Sequence, residues 1–199
     1  MRLFRRRLSL AAMVAVAATV LSTAAFAHVG DHAHMSFAEG LRHPLSGLDH
    51  LLAMVTVGLW AAQLGRRAML VLPVTFPAFM ALGATVGFGG APLPWVELGI
   101  AGSVLVLGCA VALALRPSLA VTVVIIAAFA LLHGYSHGVE LPASASARAY
   151  GAGFVMTTLL LHIAGIAIGL AAQRLPLRFA ARTAGGAIAA MGVVLLVAH

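Results

Sequence analysis

Long apolar stretches alternate along this chain with short connections that contain polar residues, glycine or proline. A helix needs about 20 apolar residues to cross the hydrocarbon core of a bilayer. Beyond the N-terminal region, stretches of about this length follow one another closely, which leaves no room for a soluble domain. The pattern predicts six transmembrane helices, over residues 44–64, 68–88, 95–115, 118–137, 149–172 and 177–198.

The N-terminus has the pattern of a secretory signal peptide. Four arginines precede an apolar run, and Ala25-Phe26-Ala27 has the A-x-A form of a cleavage site. Cleavage there would make His28 the first residue of the mature chain, whereas an uncleaved first transmembrane helix is the alternative. The predicted organisation is a signal peptide (1–27), a histidine-rich external segment (28–42) and a six-helix transmembrane domain (43–199).

Composition supports an all-α membrane protein. The chain is 62% hydrophobic and 9% charged, whereas soluble domains carry roughly 25% charged residues. The net charge of +7 does not indicate a nucleic-acid partner, because four of the twelve arginines lie in the signal peptide and the others are dispersed. The single cysteine, Cys109, excludes an intrachain disulfide and a CxxC metal site.

The arginines also predict the topology. Six of them fall within or beside the first, third and fifth connections: Arg66, Arg67, Arg116, Arg174, Arg178 and Arg182. The opposite side of the mature chain carries only Arg42 and Arg148. Cytoplasmic connections are enriched in Lys and Arg. We therefore expect a multi-pass protein of the bacterial inner membrane, with both mature termini in the periplasm.

Several histidines and one aspartate lie in or next to these apolar helices. Titratable groups cost about 2.5–3.5 kcal/mol or more at the bilayer centre, so they are rare there without a task. His43 and His50 are seven residues apart, and they would share a face if one helix began at Pro44. Asp49 lies beside His50 and would point about 100° round the same helix.

A second group lies near the predicted outer end of the fourth helix. His133 and His137 are spaced i and i+4 and share a face. Because the first and fourth helices run in opposite directions, both groups are expected to meet at one depth. His162 on the fifth helix would lie deeper, about 18 Å from the outside. Glu140 is expected in the outer loop, where it could attract cations.

Imidazole and carboxylate together suit borderline divalent ions such as Ni²⁺, Co²⁺, Zn²⁺ and Cu²⁺. Asp49 could bind the ion directly or orient a histidine that does. His28 could be part of a weak external chelator or simply lie in a solvated terminus, and any single histidine could be a packing residue. The candidate metal ligands are His28, His43, Asp49, His50, His133, His137 and His162.

The motifs H-P-x-x-G-x-D-H at 43–50 and H-G-x-x-H-G at 133–138, the histidine after the cleavage site and the six-helix layout resemble the HupE/UreJ family of bacterial nickel permeases. The resemblance covers essentially the whole chain. It implies that the histidines of both motifs and Asp49 carry nickel recognition and transport, with a link to hydrogenase or urease maturation. Cobalt remains open as the cargo.

The expected function is a secondary transporter or facilitator that imports Ni²⁺, without catalytic residues and without a permanently bound cofactor. Its expected partners are the divalent ion, the lipid bilayer and hydrogenase or urease maturation proteins. The alternatives are an intramembrane zinc hydrolase, a transporter of cobalt, zinc or copper, and a b-type haem carrier. The chain contains neither HExxH nor GxSxG, and four histidines at one depth suit haem ligation poorly.

Overall fold

The structure, a computed structural model, describes residues 36–90, 92–140, 147–174 and 179–198. The predicted signal peptide and His28 lie outside these ranges. Within them the chain is all-helical and contains no strand. The seven helices of the described ranges are α1 (Phe37–Ser46), α2 (Leu48–Leu64), α3 (Arg66–Phe88), α4 (Val96–Ala112), α5 (Leu119–Glu140), α6 (Ala147–Arg174) and α7 (Ala180–Ala198).

Length and hydropathy identify the helices that can cross a membrane. In the described part of the chain, α3, α5, α6 and α7 are long and apolar enough to do so. The bent pair of α1 and α2 would make a fifth span, and α4, with 17 residues, is a shorter apolar helix. The prediction of a multi-pass helical membrane protein is confirmed. Of the six predicted spans, four meet the length and hydropathy criteria in the described ranges, or five if the bent pair is one span.

The prediction of one straight helix over 44–64 is wrong. The chain bends by 85° between α1 and α2. Gly47 has an extended backbone (φ −94°, ψ 121°) at the break, and the Ser46 hydroxyl donates to the His43 carbonyl in the last turn of α1. Pro44 therefore lies near the end of α1 and not in the first turn of α2, and His43 and His50 belong to different helices.

The start of α1 explains this difference. Ser36 and Glu39 form a capping box, in which each side chain accepts a hydrogen bond from the other residue's backbone N–H. Such a pair satisfies two orphan donors and fixes a helix start. The capping box thus begins the helix at Phe37, six residues before His43, which leaves the histidine in the last turn.

Helices α2 to α7 alternate in direction, so that their ends form two layers. Side-chain hydrogen bonds join the arginine-bearing ends: Gln63 donates to the Val111 carbonyl, and Arg182 donates to the Ala112 carbonyl. We call this layer the arginine end. The other layer, the histidine end, contains the start of α2, the C-terminal part of α5 and the start of α6. The predicted segregation of most arginines from the histidine motifs is confirmed.

Glycines allow the helices to approach closely. Gly83 and Gly87 on α3 face the carbonyls of Leu131 and Tyr135 on α5 so closely that a Cβ would overlap them. Small residues serve this purpose in membrane helix pairs. On α6, Gly165 packs in the same way against α2. The GxxxG patterns at 83–87 and 165–169 thus mark tight helix pairs, and these pairs carry the histidine-bearing helices α2, α5 and α6.

Candidate metal site

Four histidines from α1, α2 and α5 meet at the histidine end. The ring centroids of His50 and His133 are 4.7 Å apart, and those of His50 and His137 are 4.4 Å apart. His43 follows at 4.7 Å from His137. The prediction that the two histidine motifs converge is confirmed, although His43 and His50 approach from two helices instead of one. We call these four residues the histidine cluster.

Asp49 fixes the orientation of His50. Its Oδ1 lies 2.8 Å from Nδ1 of the imidazole and also accepts the backbone N–H of His50 at 2.7 Å. A carboxylate can only accept, so Nδ1 of His50 carries the proton of the neutral ring. Nε2 is buried and has no hydrogen-bond partner in the described ranges. The Nε2 lone pair of His50 is therefore available to a cation.

Ser103 on α4 fixes the orientation of His133, as Asp49 does for His50. Its Oγ donates to the Ile100 carbonyl at 2.6 Å and lies 2.9 Å from Nε2 of the histidine. A hydroxyl that has used its only proton must accept, so Nε2 of His133 is the donor. Nδ1 then keeps its lone pair, and among the described residues it has no partner. The fully buried His133 thus offers one nitrogen for metal binding.

Glu140 adds a carboxylate to the outer rim of the cluster. One of its oxygens lies 3.9 Å from Nε2 of His43 and 3.9 Å from Nδ1 of His137. The three residues offer ligand atoms that all lie within 4.8 Å of one another. The side chain of Glu140 is 52% exposed, whereas that of His137 is 7% exposed. This group links the solvent-facing rim to the buried imidazoles.

His137 lies at the centre of the cluster. It contacts His43 and His50 through its ring, and Phe154 of α6 covers it with a centroid distance of 4.5 Å. Neither of its ring nitrogens has a hydrogen bond to any described residue. A buried polar atom without a partner costs about 1–3 kcal/mol. The cluster therefore holds nitrogens whose lone pairs need an external partner.

Packing of α1 on α6 brings His43 into the cluster. Gly40 faces the Tyr150 carbonyl, and Gly153 faces the Phe37 carbonyl, both too closely for a Cβ. The Thr157 hydroxyl donates to the Leu41 carbonyl at 2.8 Å. The position of His43 is thus set by α6 and not by its own neighbour α2.

His162 lies apart from the cluster. It is fully buried on α6, and its ring contacts Phe76 at a centroid distance of 5.3 Å. Phe76 also contacts His133 at 5.7 Å. The phenyl ring of Phe76 therefore contacts both His162 and one of the four clustered histidines.

A cavity of about 200 Å³ borders the cluster on one side. His137, Tyr150 and Phe154 form part of its wall, and α3 contributes Met80 and Ala84. The remaining lining is apolar as well. His50 and His133 do not line this cavity, so these two histidines meet in the packed interior of the bundle.

Two residues of this arrangement were not among the predicted ligands. Glu140 was expected in a loop but is the last residue of α5, one turn beyond His137. Its i+3 spacing from His137 was a usable signal. Ser103 could not be found from the sequence, because a serine in an apolar helix is ordinary until the facing residue is known.

The comparisons with known proteins cover nearly the whole chain. The family model of the HupE / UreJ protein matches residues 10–195. Protein HupE of Rhizobium leguminosarum bv. viciae is 46% identical over 184 residues, which represent 92% of this chain and 95% of that protein. No solved structure gives a significant match. The range matched by the family includes every predicted ligand from His28 to His162.

Proposed function

Because this chain belongs to the HupE / UreJ family, we propose that it is a permease that imports Ni²⁺ across the bacterial inner membrane. The histidine cluster with Asp49 and Glu140 would bind the ion on its way in. The ion is the transported substrate, and the proposal includes no catalytic step and no resident cofactor. Hydrogenase or urease maturation would consume the imported metal.

One observation carries this proposal: imidazole rings from two helices lie 4.4–4.7 Å apart, and they carry buried nitrogens without hydrogen-bond partners in the described structure. Asp49 and Ser103 each take up one nitrogen of their histidine and leave the other free. Imidazole nitrogens with carboxylate support are ligands that suit Ni²⁺, Co²⁺, Zn²⁺ and Cu²⁺. Purely structural histidines would be expected to have both nitrogens satisfied or exposed.

The geometry also suggests a direction of movement. Glu140 at the exposed rim would attract the hydrated cation, and His137 would pass it to His50 and His133 in the interior. The arginine end would face the cytoplasm, in accord with the positive-inside rule. At about 100 mV, the inward movement of two charges releases about 4.6 kcal/mol, so the membrane potential alone could drive accumulation.

The decisive test is cellular uptake of radiolabelled nickel with competing cobalt, zinc and copper. We expect wild-type cells to accumulate nickel and cells with His50→Ala to lose this uptake at equal expression. Arg148→Gln, which changes an exposed arginine at the start of α6, is the control. Unchanged nickel uptake in the His50→Ala variant would contradict the proposed site, whereas uptake of cobalt alone would keep the architecture and change the substrate.

The hydrolase alternative gains no specific support from the described residues. Ser46, which could have helped three histidines and an aspartate to hold zinc and a water, donates its proton to the His43 carbonyl at 2.7 Å. This hydrogen bond gives the hydroxyl the ordinary role of a residue in the last turn of a helix.

A further inference from the structure

His162 is a buried imidazole that the histidine cluster does not use. Its relative exposure is 0%, and neither ring nitrogen has a hydrogen-bond partner among the residues that the structure describes. Each such atom costs about 1–3 kcal/mol compared with a satisfied one. A leucine at this position would fill similar space without this cost. The chain thus keeps two unsatisfied polar atoms near the middle of the 28-residue helix α6.

Thr158 lies one helical turn before His162 and is likewise a buried polar residue. It is fully buried, and its Oγ1 has no partner in the described part of the chain. The buried threonines Thr56, Thr75 and Thr122 differ, because each donates its hydroxyl proton to the carbonyl four residues earlier. Residues at i and i+4 occupy one face of a helix. One face of α6 therefore carries imidazole nitrogens of His162 and the hydroxyl oxygen of Thr158 without hydrogen-bond partners among the described residues.

Phe76 connects His162 with the histidine cluster. Its ring contacts both His133 and His162, at centroid distances of 5.7 and 5.3 Å. His162 follows Phe154, which covers His137, by eight residues, a rise of about 12 Å along α6. The pair thus lies deeper than the cluster on the way towards the arginine end.

We propose that His162 and Thr158 form a second, inner cation site, which receives the divalent ion from the histidine cluster. This inference rests on the proposed transport function. The inner site offers one imidazole and one hydroxyl, so the ion would keep part of its water shell and bind more weakly than at the cluster. Conduction needs sites that bind well enough to admit an ion and weakly enough to release it. An inner site of this kind would satisfy the second condition.

The test uses purified full-length protein in liposomes that contain a fluorescent nickel chelator. His162→Leu removes the nitrogen, and His162→Cys replaces it with another donor. Thr158→Val removes the unpartnered hydroxyl, and Thr122→Val is its control, because the Thr122 hydroxyl is already bonded to the Ser118 carbonyl. The initial rate of nickel uptake and the equilibrium affinity for nickel in detergent are measured for each protein.

We expect His162→Leu to reduce the uptake rate by about tenfold or more, the range found when groups around a metal are removed. Its nickel affinity should remain that of the wild type, because the cluster is intact. His162→Cys should restore part of the rate, and Thr158→Val should lower it while Thr122→Val does not. This combination distinguishes a donor role from a packing role.

Three results would overturn the inner site. These are an unchanged uptake rate in His162→Leu, a parallel loss of nickel affinity, and equal defects in the leucine and cysteine variants. The proposed function itself is tested by the wild-type protein alone. If liposomes that contain wild-type protein take up no nickel, the proposed transport function is wrong, whatever the variants do.

Discussion

The Oγ of Ser103 lies 2.9 Å from Nε2 of His133, and its own proton is donated to the Ile100 carbonyl. This pair links α4, which carries no histidine, to the cluster. Because the hydroxyl can only accept from the ring, it determines which nitrogen of His133 is free. The proposed metal site therefore depends on a residue that would not itself touch the ion.

This relationship gives the first prediction. Ser103→Ala should weaken nickel affinity by about tenfold, since loss of a group that orients a ligand costs 10–100-fold. Isothermal titration in detergent measures the effect, with Thr122→Val as a control for loss of a buried hydroxyl elsewhere. A variant with wild-type affinity would show that the tautomer of His133 does not matter.

The second prediction concerns the carboxylate of Asp49. Asp49→Asn keeps an oxygen that can accept from Nδ1 of His50 but removes the negative charge, whereas Asp49→Ala removes both. Because Asp49 orients His50, the asparagine variant should retain more nickel affinity than the alanine variant. If Asp49 binds the ion directly, both variants should lose affinity to a similar extent. Competition titration with a nickel chelator separates the two results.

The third prediction concerns the exposed rim. Glu140→Gln should lower the rate of nickel uptake most at low ionic strength, because attraction between a cation and an exposed carboxylate is screened by salt. Glu39→Gln is a matched control, since Glu39 is also exposed but caps the start of α1. Uptake is measured from low to high salt. Equal rates in Glu140→Gln and wild type at low salt would contradict a role in attracting cations.

The fourth prediction tests the close packing of α3 and α5. A Cβ at Gly134 would overlap the Met80 carbonyl, whereas a Cβ at Gly102 would meet nothing within 4 Å. Gly134→Ala should destabilise the protein by about 1–3 kcal/mol or more, as overpacking does. Gly102→Ala should be neutral or slightly stabilising. Thermal unfolding in detergent compares them, and equal melting temperatures would contradict the described helix pair.

The sequence predicted most of the architecture because long apolar runs leave few alternatives. The run predicted over 68–88 corresponds to α3 at Arg66–Phe88, including the two prolines within it. The meeting of the two histidine motifs followed from helix direction alone. The bend at Gly47 could not be predicted from the sequence. Pro44 suits the first turn of a helix, but here it lies in a helix that the capping box at Ser36 has already started.

The finer parts of the site required the tertiary structure. The turn formers at 141–144 indicated a loop that would include Glu140. Instead α5 continues to Glu140, and Gly138 in its last turn packs closely against the Ala84 carbonyl of α3. Ser103 becomes meaningful only when α4 lies beside His133. Local sequence patterns contain no signal for a hydrogen bond across 30 residues.

Position 47 also has little space for a side chain, in addition to its role in the bend of the backbone. Its φ of −94° is open to any residue, but a Cβ there would lie 2.8 Å from Oδ1 of Asp49 and 3.0 Å from Nδ1 of His50. Gly47→Ala should therefore displace the Asp49–His50 pair and lower nickel affinity without unfolding the bundle. Circular dichroism checks the fold, and titration checks the affinity. Unchanged affinity would mean that the pair has room to shift.

The bend at Gly47 divides the motif at 43–50 between two bodies. His43 belongs to α1, which is docked on α6, while His50 belongs to α2. The distance between His43 and the other three clustered histidines thus depends on the angle between α1 and α2. Any change in the packing of α1 on α6 would therefore reposition one of the four imidazoles, while the other three are held by α2 and α5.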